Sequence, residues 1–463
     1  MKAQHEIKES RSIYMIYILL FALFLFKMFF YAYEINDYPD QEAQLSYVVY
    51  MEEHPLTMIP EFGKIKMTTA KEVRHEKDAD KTGVTELKKE TETCYLGHPP
   101  FYYQFLQMCD VVTIEQGHID TDLIKIYHIN IFITAFTMTI LLCIGFWQLS
   151  KAHAHCAMHF MYVVICTSLP LYGYVGSGIN NDNFCNLGMA VFLAGLLCYF
   201  EIGRCYRTYW LIAAGSLLCF FSKLTSGLIV FIVCAAMVLL EFWKNKNWKI
   251  ICNPYFVSTL PCYLLIGSYF ALLYAEYGTI QPTYAQFVSL EEFHSSPFYV
   301  EEALRTRLSF CEDSIHFFKG LLETWTGTYS KNYMVARTGI LALPFIIVLC
   351  LFFCQAVYGL YCVRKNQNVT ITILPFVFAV ACIVTVLVQF ASHRRSYLAN
   401  GYLGGCQARY YMPCLPVVAL GACDFIQRFC KDRIISVCVV FGGLFMIYAD
   451  FFYYVFCYYR IPM

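Results

Sequence analysis

The sequence predicts an all-α, polytopic membrane protein of about eleven transmembrane helices with a cytoplasmic N-terminus. Three observations carry that reading. Hydrophobic residues make up 58% of the 463-residue chain and charged residues 15%, against roughly 25% charged in an ordinary soluble protein. Apolar runs recur at the length a bilayer demands, about 20 residues for a hydrocarbon core of about 30 Å. Lys and Arg gather in alternate short loops. A mean hydropathy of +0.50 excludes a disordered chain and a water-soluble enzyme of the usual kind. Thirty-four basic and 34 acidic residues give a formal net charge of zero, which excludes a nucleic-acid binder held by net charge.

The first apolar run covers residues 13–33. Its length, its Phe and Tyr content and the lack of a small-x-small cleavage site mark it as a signal anchor or true span rather than a cleaved signal peptide. Runs at 126–149, 156–175 and 184–202 follow, then two short ones, 209–221 and 224–243, on either side of Lys223. The remainder lie at 250–273, 339–363, 369–390, 410–425 and 434–454. One set of loops carries Lys151, Arg204, Arg207, Lys244, Lys246, Lys249, Arg364, Lys365, Arg428, Lys431 and Arg433. With Lys2, Lys8 and Arg11 on the same side, that set is cytoplasmic and the C-terminus lies outside. The chain then forms one membrane domain, 1–463, with two long outer loops, 34–125 and 274–338, and a shorter one at 391–409. Their shared side is where function is expected. Residues 64–92 are highly charged, of mixed sign and poor in apolar side chains, and read as a mobile insertion. The 23 cysteines sit mostly inside apolar runs, where they act as small hydrophobes, and no C-x-x-C pair implies a disulfide framework. No internal repeat of the transporter kind is present.

The polar residues that could carry chemistry lie in the outer turns. The first loop opens with Glu34, Asp37, Asp40 and Glu42, carboxylates suited to a general base or a metal ligand. Tyr95-Leu-Gly-His98-Pro99-Pro100-Phe101-Tyr102-Tyr103 follows, with two prolines fixing the chain beside His98. Asn180-Asn181-Asp182-Asn183 opens the fourth apolar run; helix capping alone would explain it, but it also brings a second acid to the same side. Lys223 stands between two apolar runs, a costly place unless it snorkels to headgroups or meets a carboxylate. The last outer loop holds His393-Arg394-Arg395 and then Gln407-Ala-Arg409-Tyr410-Tyr411-Met-Pro413-Cys-Leu-Pro416. Arginine on the side the charge rule disfavours suits a bound anion, because its planar fork pairs with phosphate. On the cytoplasmic side His153, His155, Cys156 and His159 have the look of metal ligands, but no carboxylate or cysteine pair supports them. The Asn368-Val-Thr370 sequon falls on a cytoplasmic loop and is expected to stay unglycosylated.

Taken in order, these motifs resemble the GT-C superfamily of integral-membrane glycosyltransferases, which includes protein O-mannosyltransferases and bacterial aminoarabinose transferases. The similarity runs over about residues 13–416. It implies GT-C-like architecture and an inverting transfer of sugar from a polyprenyl-phosphate donor to a hydroxyl of a lipid, glycan or protein on the outer face. Carried over, Asp40 is the catalytic base, with Asp37 and Glu42 as substitutes. Lys223, Arg395, Arg409 and His98 bind the donor phosphate. Asp182, Asn181, Gln407 and Tyr410 position substrate. No cofactor is firmly implied, and a divalent cation stays open. The sequence departs from the pattern at Gln41, where relatives often carry a second acid, and at Gln44, where a His is expected. The competing classes are a lipid or solute transporter, a flippase, and an inactive scaffold on the same fold. A multi-pass plasma-membrane location is expected over the endoplasmic reticulum.

Overall fold

The computed structural model describes residues 2–35, 37–70, 84–246, 248–329, 334–365, 370–429 and 433–459. Residues 71–83, within the charged stretch, and Asn368 and Val369 of the sequon lie outside the described residues.

The chain is predominantly helical. No Gly or Pro interrupts residues 2–35, and α1 (Lys2–Phe30) runs straight into a π turn, Tyr31–Ile35. The first connecting segment holds α2 (Gln41–Glu53), β1 (Lys66–Ala70), β2 (Val84–Thr93), α3 (Phe101–Gln107), β3 (Val112–Glu115) and β4 (His118–Asp122). Next come α4 (Leu123–Lys151), α5 (Cys156–Thr167) and α6 (Pro170–Gly176). The last two are bent by 52° where Pro170 opens a new helix. Then follow α7 (Asp182–Ile202), α8 (Tyr206–Ser222), α9 (Leu224–Asn245), α10 (Pro254–Val257) and α11 (Leu260–Tyr277). A second connecting segment carries α12 (Tyr284–Phe287), α13 (Leu290–His294) and the amphipathic α14 (Phe310–Thr326). The chain closes with α15 (Leu343–Arg364), α16 (Thr370–Asn400), α17 (Leu415–Phe429), α18 (Arg433–Ile447), a second π turn (Tyr448–Phe452) and α19 (Tyr453–Tyr459).

Each of the eleven apolar runs becomes helix, but only seven helices, or eight counting the bent α5–α6 pair, are long and apolar enough to cross a membrane among the described residues. The shortfall falls on α8, with 17 residues, α11, with 18, and α17, with 15. α8 still packs closely on α7, because Gly188 of α7 and Gly215 of α8 let two backbones touch. A Cβ at Gly215 would sit 2.4 Å from the Phe192 nitrogen and 2.6 Å from the Gly188 carbonyl.

Three expectations need correction. The chain is not all-α: β1–β2–β4–β3 form an antiparallel four-stranded sheet. The described ends of the charged stretch 64–92 are the paired strands β1 and β2 rather than a mobile insertion. Thr-rich, β-prone residues and the inward-facing Leu87 and Ile119 supply the face that packs. The segment 391–409 is not a loop throughout. α16 continues to Asn400 and stops at Gly401, whose φ of +74° ends the helix.

Candidate functional site

Four segments far apart in sequence meet at the end of the bundle that carries the sheet. Asp40 opens α2 with φ +60°, a left-handed conformation that Asp tolerates better than most residues. The turn before it is pinned by neighbours. Asn180 Nδ2 donates to the Pro39 carbonyl at 3.4 Å. Tyr38 lies over Gly178, where a Cβ would come within 2.2 Å of the ring. Asp182 is the first residue of α7, its backbone N–H held by Asn180 Oδ1 at 3.0 Å. Lys223 is the single extended residue between α8 and α9, so the helix break turns its side chain out of both helices. Arg409 lies on a 3-10 turn, Ala408–Cys414, just before α17.

These four side chains form one alternating chain of charge. Arg409 Nη2 donates to Asp40 Oδ2. Arg409 Nε lies 3.7 Å from Asp182 Oδ2. Lys223 Nζ donates to Asp182 Oδ1 at 2.6 Å. Tyr95 donates to Asp40 Oδ1 at 2.7 Å. The Tyr410 ring carries both cations, with Lys223 Nζ 4.3 Å and the Arg409 guanidinium carbon 5.6 Å from its centroid. Asp182, Lys223 and Arg409 are each 5% exposed or less, so the charges survive burial only because they are paired. Burial raises the Asp40 carboxyl, but Arg409, Tyr95 and Lys223 outweigh it and hold it down to about 2.

Pairing is nevertheless incomplete. Arg409 Nε and Nη1, Asp182 Oδ2 and Asn181 Oδ1 are buried and make no hydrogen bond among the described residues. A guanidinium has five N–H donors. Arg409 therefore retains donors for a further acceptor, and two parallel N–H bonds are the geometry that phosphate oxygens accept.

The other sequence candidates divide. Asn181 belongs to the site, its Nδ2 bound to the Ser222 carbonyl at 2.9 Å, next to Lys223. His98 is half-buried beside the charges, and burial followed by the nearby Lys223 pushes its pKa down to about 3. At that value the ring is neutral near pH 7 and offers hydrogen bonds rather than charge. Gln407 precedes the 3-10 turn without a side-chain cap bond. Arg395 is exposed on the end of α16, and no described contact brings it to the cluster. Its neighbour Arg394 turns inward instead, with Nη1 3.0 Å from Asp313 Oδ2. Asp40, rather than Asp37 or Glu42, holds the arginine. Asp37 presents its backbone carbonyl to the Tyr174 hydroxyl, and Glu42 lies a residue into α2 with its carbonyl 2.6 Å from Ser46 Oγ. At the two departures from the resemblance, Gln41 donates to the Tyr127 hydroxyl at 3.1 Å and Gln44 is buried. Tyr95, three residues before His98 in the same motif, is a site residue that the sequence alone does not single out, because its pairing with Asp40 joins distant segments. His155 caps α5 through Nδ1, and His159 meets the Tyr17 hydroxyl at 3.1 Å.

Beside the charges lies an apolar cavity of about 410 Å³ between α14, α15, α16 and the 3-10 turn. Phe318, Trp325, Phe352 and Ile383 line it, and Ala408 and Tyr411 connect it to the turn that carries Arg409 and Tyr410. A larger cleft, about 600 Å³, runs along α4 past Phe132 and Phe184 and shares no residue with the charged cluster.

Residues 53–418 match the family described as "Predicted membrane protein (DUF2142)". The chain belongs to that family. The DUF2142 match takes in His98, Asp182, Lys223, Arg409 and Tyr410 and begins after Asp40. The description of DUF2142 states a membrane protein and names no activity. No curated protein and no solved structure matches the chain.

Proposed function

We propose that this DUF2142 protein is an inverting, GT-C-type membrane glycosyltransferase. It takes sugar from a polyprenyl-phosphate donor and transfers it to a hydroxyl of a lipid, glycan or protein on the outer face. The observation that carries the reading is the buried Asp40–Arg409–Asp182–Lys223 chain, with donors of Arg409 left over, beside an apolar cavity. Phosphate at the guanidinium and isoprenoid in the cavity is the pairing that this arrangement suits. The finer topology belongs to the same proposal: eleven spans, the N-terminus cytoplasmic, the site on the outer side and the protein in the plasma membrane.

In this reading the acceptor O–H attacks the anomeric carbon, the bond from that carbon to the phosphate oxygen breaks, and Asp40 takes the proton. Arg409 and Lys223 stabilise the charge that develops on the departing phosphate. A carboxylate held near 2 is a weak base, far from the operating pH that suits proton transfer. The donor phosphate resolves this by competing for Arg409, so that Asp40 regains proton affinity only once donor is in place. His98 and Asn181 line the approach, and Tyr410 holds the two cations in register.

Membranes carrying wild type or Asp40→Asn at matched expression, supplied with radiolabelled polyprenyl-phosphate sugars, test the proposal. Label reaching an acceptor only with wild type supports it; equal transfer by both removes Asp40 from the chemistry. One observation favours a transporter or flippase instead: Lys27 and Asp450, within two long apolar helices, form a buried ion pair at 2.6 Å. Uptake or lipid-scrambling assays on proteoliposomes separate the two readings, because a transferase needs no movement of solute.

A further inference from the structure

Apart from the charged cluster, the end of α16 meets α14 and the segment before Arg409 in a second group of polar side chains. Nitrogen atoms of His316 and His393 and the sulfur of Cys406 lie within 4.8 Å of one another. His393 Nδ1 is 3.7 Å from Cys406 Sγ. A tetrahedral zinc ion, with bonds of about 2.0 Å to nitrogen and 2.3 Å to sulfur, sets such an N···S edge near 3.5 Å. The ring of the exposed His316 lies nearly parallel to that of His393, 14° between planes and 6.4 Å between centroids. Rotation of this exposed side chain closes the remaining distance.

A second observation points to a cation. His393 Nε2 is 2.9 Å from Asp313 Oδ1, and Asp313, fully buried, also takes Arg394 at 3.0 Å, so it is an acceptor. That fixes the proton on Nε2 and leaves Nδ1 to face the Gly404 carbonyl at 2.9 Å. A carbonyl cannot donate. Two acceptors that close need a proton or a metal ion between them. A buried carboxylate holding the far nitrogen of a histidine is the outer-shell arrangement that orients metal-binding imidazoles. The Gly404 carbonyl is also 3.7 Å from Cys406 Sγ, so nitrogen, sulfur and oxygen surround one point.

We propose that His393 Nδ1, Cys406 Sγ and His316 bind a zinc-class divalent cation, with Asp313 orienting His393. The thiolate and imidazole donors select zinc over magnesium or calcium, which prefer oxygen. Three side chains leave a fourth position for the Gly404 carbonyl or a water. Binding releases the thiol proton into solvent, and the metal sits between Sγ and the imidazole nitrogens. The ion ties α14 and α16 to a segment that ends three residues before Arg409. That segment already docks on α14: the Ala408 N–H donates to Thr324 Oγ1 at 2.9 Å, and Gly320 leaves room for Cys406, where a Cβ would come within 2.9 Å. The metal is therefore a clamp that positions the arginine-bearing turn, and it stands independently of what that turn binds.

The test uses the full chain purified in detergent under reducing conditions, stripped with chelator and reloaded with zinc or cobalt alone. One tightly held zinc per chain is expected by elemental analysis, together with a thiolate-to-cobalt charge-transfer band in the cobalt form. Cys406→Ser removes both the bound ion and the band. His316→Ala, at an exposed position where folding is preserved, lowers zinc retention at least tenfold. Cys311→Ser, on the exposed side of α14, leaves both unchanged. No retained zinc in wild type, an unaltered cobalt spectrum in Cys406→Ser, or loss of the ion in Cys311→Ser overturns the proposal.

Discussion

Two buried networks in this protein use the same residue types and end in opposite states. In the first, Lys27 of α1 donates to Asp450 Oδ2 and to the Thr167 carbonyl, both at 2.6 Å. Arg337 spends Nε on the Ala449 carbonyl, Nη1 on Thr328 and Val335, and Nη2 on the Asp450 carbonyl. Those last carbonyls lie in the π turn Tyr448–Phe452, where the widened helix frees them from the ordinary ladder. Every nitrogen of Arg337 is thereby used. In the second network Arg409 has equal burial but uses only Nη2 in a hydrogen bond. A saturated cation fastens helices together; an unsaturated one has capacity for a ligand. Burial and charge alone do not distinguish them, whereas the count of donors already spent does.

The largest test of that contrast is Asp40→Asn, which is expected to lower sugar transfer on the order of 10³-fold, the usual share of a general base, while purification yield stays at wild type. Transfer assays with matched protein measure it. Lys27→Met should do the reverse: strand a buried Asp450, cost about 3–5 kcal/mol of stability, and leave the specific activity of the surviving protein intact. Thermal unfolding in detergent reads this, and adding Asp450→Leu should restore most of the loss. If Lys27→Met kept its stability and lost activity, the division into a fastener and a ligand site would be inverted.

Arg409→Lys sharpens the comparison at a smaller scale. Lysine keeps the charge and loses the planar fork, so transfer should fall about 10²-fold with most of the effect in kcat. The pH dependence follows from Asp40. Its folded pKa of about 2 lies below an unfolded value near 4, so its contribution to stability is complete above about pH 4 and is lost as pH falls towards 2. The difference in melting temperature between wild type and Asp40→Asn should therefore narrow over that window and be flat above it. The smallest expected effect is Arg395→Ala, within about twofold in activity, as for other exposed substitutions.

Much of the site could be read in the sequence because polar residues are conspicuous where an apolar run breaks. Asp182 and Lys223 stand at such breaks, and Arg409 precedes two prolines that delimit a new helix. What stayed hidden depended on pairings between distant segments. Arg394 and Arg395 look equivalent in a row, but one helical residue is a rotation of about 100°, which sends the first to Asp313 and the second to solvent. The stop at Asn400-Gly401 was the local signal that 391–400 is helix. The sheet is not legible in the sequence because β2 has one strongly buried aliphatic residue, Leu87, and its pairing with β4 is non-local. The span count and the helix lengths part at α8, α11 and α17, which are apolar enough to look like crossings but are short in length or mean hydropathy.

The left-handed backbone at Asp40 has an evolutionary consequence. Only Gly, Asn and Asp occupy that conformation at little cost, so the position is filtered by its backbone before any chemistry is considered. Lineages that abandon the chemistry should drift there to Asn or Gly, and seldom to Ala or Glu. A survey of descendants would then separate working proteins from silent ones by a single letter.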